Sequence, residues 1–119
     1  MSSTDTYLAV FLGTGERMAA WNALPEAARN AKVQEGMAAW KAWVGKYHDA
    51  IVTMGGPLGK TKKISAAGIE DVKNALGAFT VVRAESHEAA AKMFEGHPHF
   101  TIFAGDAVEV MPVLPIPGA

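Results

Sequence analysis

The 119-residue sequence contains no cysteine. Disulfides, thiolate nucleophiles, iron–sulfur clusters and Cys-ligated zinc are excluded with it, and a reducing, cytoplasmic compartment is the natural expectation. No apolar run approaches the roughly 20 residues that a membrane-spanning helix requires. The opening stretch Met1-Ser2-Ser3-Thr4-Asp5-Thr6 is polar and has no basic region, so no signal peptide is expected. Excess charge is missing too: 11 Lys and Arg against 12 Asp and Glu leave a net charge of −1. The basic residues are scattered except in Lys60-Thr61-Lys62-Lys63, which reads as a solvated loop. A nucleic-acid binder would show a basic face interleaved with aromatics. Neither nucleic acid nor a membrane is expected as a partner.

What is present fits one domain, with residues 1–5 as a flexible N-terminus and residues 6–119 as a single α+β unit. Tyr7 to Leu12 is apolar on both faces, which marks a strand covered on both sides. Gly13-Thr14-Gly15 ends it and lacks the third glycine of a dinucleotide-binding turn. A short helical piece follows over 16–24, and a long helix runs from Pro25 to about Tyr47. Val33, Met37, Trp40, Val44 and Tyr47 recur at helical spacing and are expected to face inward, with Trp43 on the flank of the stripe.

Strands are expected at 51–54, 78–84 and 108–111. The segment 69–75 fits either a hairpin or a helical turn. Ser86 is placed to cap a second helix whose buried side is Ala89, Ala90, Met93 and Phe94, with Gly96 and Pro98 ending it. The order strand–helix–strand–strand–helix–strand is the ferredoxin-like βαββαβ pattern, a four-stranded antiparallel sheet with helices on one face. The opposite apolar face then needs a lid, and a second copy of the same sheet is the simplest one. A homodimer is therefore expected, with the apolar tail Val113-Leu114-Ile116 packed over the join.

Five segments in this order resemble the YCII-related family: Gly55-Gly56-Pro57-Leu58, Gly77 to Val82, Ala84 to Ala90, His97-Pro98, and Val108 to Val113. The resemblance covers Tyr7 to Pro115 and implies a dimeric α+β barrel. It also implies a chemistry in which some members use a His on the first helix with an Asp near the Gly-Gly-Pro turn. That pair has no counterpart here: the helix stripe holds Val33, Met37, Trp40 and Val44, and Lys60, Lys62 and Lys63 follow the turn.

The candidate sites are therefore argued from the residues. Gly59-Lys60-Thr61 is not a phosphate-binding loop, because the glycine required five residues before Gly59 is Met54. His97-Pro98-His99, read as an extended segment, lets both imidazoles converge, with Asp106 downstream as an orienting partner. These three are the candidate acid–base residues. The competing reading has His97 bracing a helix end and His99 in solvent. One His-x-His without a clear third ligand is a poor metal signal, so no metal or other cofactor is expected. Trp40, Trp43, Met37 and Met54 are the candidate ligand-binding residues, walling a pocket between the long helix and the sheet. The sequence thus points to a small-molecule binder or enzyme. Its alternative is a non-catalytic dimer whose aromatics are all core.

Overall fold

A computed structural model describes residues 5–118. The stretch expected to be flexible lies outside the described residues except for Asp5, which begins strand β1 (Asp5–Leu12). Helices α1 (Glu16–Asn22) and α2 (Glu26–Lys46) follow, then a 3-10 turn at His48–Ala50 and β2 (Ile51–Pro57). A hairpin of β3 (Thr61–Ser65) and β4 (Gly68–Val72) precedes β5 (Leu76–Ala84). Two short helices, α3 (His87–Lys92) and α4 (Pro98–Thr101), lead into β6 (Ala107–Pro112).

The main sheet has the order β2-β5-β1-β6, with every neighbour antiparallel. That is the split βαβ arrangement expected from the element order, with the β3–β4 hairpin inserted as a separate two-stranded sheet. β1 lies inside the sheet, with Tyr7 opposite Val82 on β5 and Pro112 on β6. Its alternate residues Tyr7, Ala9 and Phe11 are buried at 3%, 0% and 1% exposure. They join Val82, Trp43 of α2, Ala90 of α3, and Met93 and Phe94 in one core cluster. The Ser86 hydroxyl caps α3 by accepting the Ala89 N–H at 3.0 Å.

The other face of β1 carries Leu8, Val10 and Leu12, and none of the three is buried. Phe79 and Val81 of β5 and Met111 of β6 pair with Val10 and Leu8 in the register and extend this apolar face. The shortest principal extent is 18 Å. A helix is about 10–12 Å across, so that depth holds one helical layer on one sheet and nothing beyond it. The tail residues Val113, Leu114 and Ile116, expected to pack over a join, are exposed.

The long helix departs from its expected stripe in its N-terminal half. Val33 and Met37 are exposed at 38% and 60%, while Gly36 and Trp43 are the buried positions. Only the C-terminal half, through Trp40, Trp43, Val44 and Tyr47, packs on the core. Beneath residues 37–41 of this helix a gap opens toward β2 and β5.

The floor of that gap is shaped by glycine. Gly55 has φ +69°, and a Cβ there would overlap the carbonyl of Phe79. The β2–β5 register shifts on both sides of Thr53, so β2 bends through Gly55-Gly56-Pro57.

Candidate ligand cavity and the histidine cluster beside it

The gap between α2 and the sheet is a cavity of about 850 Å³. Phe11, Ala78 and Thr80 form its base, Met54 to Pro57 one side, and Met37, Trp40 and Lys41 its roof, with Phe103 also on the wall. The volume lies in the range of small-molecule sites, which are mostly apolar with few polar groups. Trp40 stacks on Phe11 at 5.3 Å between ring centroids and 24° between planes. The Thr80 hydroxyl is committed, donating to the Met54 carbonyl at 2.9 Å. Lys41 is the single ionisable side chain on the wall, and it joins no ion pair among the described residues.

Of the four side chains expected at a ligand site, Met37, Trp40 and Met54 border this cavity and Trp43 does not. Trp43 is buried at 8% exposure, and its indole N–H donates to the Met93 carbonyl at 2.6 Å. A large aromatic with a polar edge settles in the core once that edge finds a partner, and this places Trp43 away from the cavity.

The histidines are arranged differently from the expected extended pair. His97 is the N-cap of α4, and Pro98 opens the helix rather than only ending the previous one. The His97 ring is buried at 1% exposure among Phe11, Trp40, Trp43 and Phe94. Its Nδ1 accepts the His99 backbone N–H at 3.0 Å, so the proton of the neutral ring is on Nε2. Nε2 has no hydrogen-bond partner among the described residues. Burial, with His99 nearby as a second cause, pushes the His97 pKa down to about 4.

His99 is half-buried, with Nε2 donating to the Leu12 carbonyl at 2.8 Å. Its ring lies against Gly105, where any Cβ would overlap it. Asp106 orients neither imidazole. Its carboxylate accepts the Thr14 N–H at 2.7 Å and the Thr14 hydroxyl at 2.8 Å. Those two bonds, with Arg17 and His99 nearby, hold its pKa below the usual carboxylate range.

Arg17 of α1 donates to the carbonyls of Phe100 and Gly105. The cluster therefore pins the 97–106 segment to the β1–α1 turn. Neither His97 nor His99 lines the cavity, because Phe11 and Trp40, which do, pack against both rings. Among the described residues no three His, Asp or Glu side chains gather as a metal site.

Sequence reasoning missed Phe11, Lys41 and Phe103 as wall residues. Phe103 had one available signal: the unexplained glycine in mid-helix at Gly36, whose absent side chain leaves room for its ring.

No family model matches the chain, and no curated protein matches its sequence. Among solved structures, the chain is similar to 5-chloro-2-hydroxyhydroquinone dehydrochlorinase from Burkholderia phenoliruptrix AC1100, in complex with 2,5-dihydroxybenzoquinone. Identity is 19%, the match covers 89% of this chain and 90% of the other, and the TM-score is 0.50. That neighbour has the dimeric α+β barrel fold, and the likeness carries the fold alone. No family model or sequence match places the chain in the YCII-related family, and the likeness is one of fold.

Proposed function

We propose that this chain is a YCII-like, cytoplasmic small-molecule binder, working as a two-fold dimer and taking a planar, largely apolar ligand with one negative group under α2. One observation carries the reading. A cavity of about 850 Å³ is walled by stacked aromatic rings and thioethers and has a single charged side chain, Lys41. Flat rings suit the Phe11–Trp40 stack, and a carboxylate or phenolate suits an ammonium without a carboxylate partner. The fold neighbour's complex with a planar six-membered quinone is consistent with such an occupant.

The dimer rests on the apolar face of Leu8, Val10, Leu12, Phe79, Val81 and Met111, which no element among the described residues covers. Catalysis by His97, His99 and Asp106 has less support. His97 is neutral and enclosed, Asp106 is committed to Thr14, and His99 keeps only Nδ1 uncommitted.

The test is calorimetric titration with 2-naphthoate. The wild-type protein binds one molecule per chain, and Trp40→Ala weakens binding by about tenfold or more, as loss of a stacked ring should. Lys41→Gln weakens it a few-fold, since an exposed ion pair contributes only about 0–1 kcal/mol. Failure of the wild-type protein to bind any of a panel of aromatic acids overturns the reading.

A further inference from the structure

Gly36 lies in the middle of the 21-residue helix α2, where its φ is not positive and no turn or cap calls for glycine. Glycine there is less favourable than alanine. Its place is explained by Phe103. A Cβ at position 36 would overlap Cζ and Cε2 of that ring and sit 3.0 Å from Cε1. The ring is thus seated in a notch on the helix that one methyl group would fill.

The rest of Phe103 has little freedom to retreat. Its backbone N–H donates to the Pro98 carbonyl at 2.9 Å. Arg17 ties down the Phe100 and Gly105 carbonyls on either side of it. Trp21 stands 5.9 Å from the ring and Trp40 6.1 Å, between centroids. With the helix, two indoles and a fixed backbone around it, the open direction is the cavity, whose wall Phe103 already forms.

We infer that Gly36 is a positioning residue that holds the Phe103 ring back from the cavity, and that this pair sets how long an aromatic ligand the cavity accepts. The inference rests on the small-molecule reading above. Lys41 lies five residues beyond Gly36 on α2, about 7.5 Å along the helix axis at 1.5 Å per residue. A ligand whose charge is held by Lys41 and whose rings run along the cavity toward Phe103 is limited by that ring, and ring count is the property gauged.

The experiment measures affinities for benzoate, 2-naphthoate and 2-anthroate, with helicity and melting temperature checked in each variant. In Gly36→Ala the displaced ring shortens the cavity: benzoate affinity stays within about twofold while 2-anthroate affinity falls by about tenfold or more, the loss of one good aromatic contact. Phe103→Ala improves the 2-anthroate to benzoate ratio. The double variant Gly36→Ala, Phe103→Ala behaves as Phe103→Ala alone, because the methyl then has no ring to displace. An unchanged size preference in Gly36→Ala, or a loss that persists in the double variant, overturns the inference and leaves the binding reading intact. Wild-type protein that binds none of the three acids removes both.

Discussion

Nδ1 of His97 accepts the backbone N–H of His99 at 3.0 Å, and so the ring that caps α4 is the ring buried among Phe11, Trp40, Trp43 and Phe94. The cap requires the unprotonated nitrogen and the burial disfavours charge, so both act in one direction. His97 is held neutral, with its pKa pushed down to about 4.

A pH dependence follows, and its sign is fixed by linkage. An unfolded His titrates near 6.5, so between about pH 6.5 and 4 the unfolded chain binds a proton that the folded chain does not. The contribution of neutral His97 is complete above pH 6.5 and is lost as pH falls toward 4. The shift corresponds to about 3 kcal/mol at most. Urea unfolding at pH 7 and pH 4.5 should show a drop of that order. His97→Asn keeps a capping oxygen without a titrating ring, and should start less stable but lose less over the same interval.

Trp43 and Trp40 lie one turn apart on α2 and should respond oppositely. Trp43→Phe leaves the buried Met93 carbonyl without its 2.6 Å donor. The expected cost is about 1–3 kcal/mol of stability, with naphthoate affinity unchanged. Trp40→Phe should do the reverse, lowering affinity with a smaller loss of stability. Thermal melts and calorimetry on both variants decide it, and equal effects on binding would contradict the assignment of Trp43 to the core.

Gly55 should be intolerant of any side chain. Its φ of +69° is strained for other residues, and a Cβ would overlap the Phe79 carbonyl across the bulge. Gly55→Ala should cost about 1–3 kcal/mol from strain. Gly59, with open space around its Cα and no positive φ, should accept alanine nearly without cost.

The uncovered sheet face predicts assembly. Burying it against a second copy should involve more than about 1,000 Å² in total, the size of a specific interface. Light scattering at micromolar concentration should return a dimer mass. Val10→Lys, at the centre of that face opposite Phe79 and Glu109, should return a monomer. A folded wild-type monomer would contradict the dimer.

Much of this fold is legible in the sequence because its signals are local. The run Tyr7 to Leu12, apolar on both faces, the Ser86 cap and the ordered strands and helices each follow from neighbouring residues, and together they dictate a ferredoxin-like sheet. The cavity was legible in part, since Met37, Trp40 and Met54 lie on segments whose faces periodicity can assign. Phe11 and Phe103 were not. One is a strand residue that serves core and cavity at once, and the other comes from a loop placed by Arg17 and the Pro98 carbonyl. The placement of His97 and His99 was not legible for a related reason. Pro98 reads equally as a helix stop and a helix start, and only the packing of the ring on Trp40 and Trp43 decides between them.

The central claim, that ligand enters beneath α2, is tested most directly at the methionine methyl groups. Met37 and Met54 line the cavity, whereas Met18, Met93 and Met111 do not. In protein labelled at the methionine methyls, titration with 2-naphthoate should shift the Met37 and Met54 resonances in a saturable way and leave those of Met18 and Met111 in place. Saturable shifts confined to Met18 or Met111, or no shift at any methyl at millimolar ligand, would contradict it.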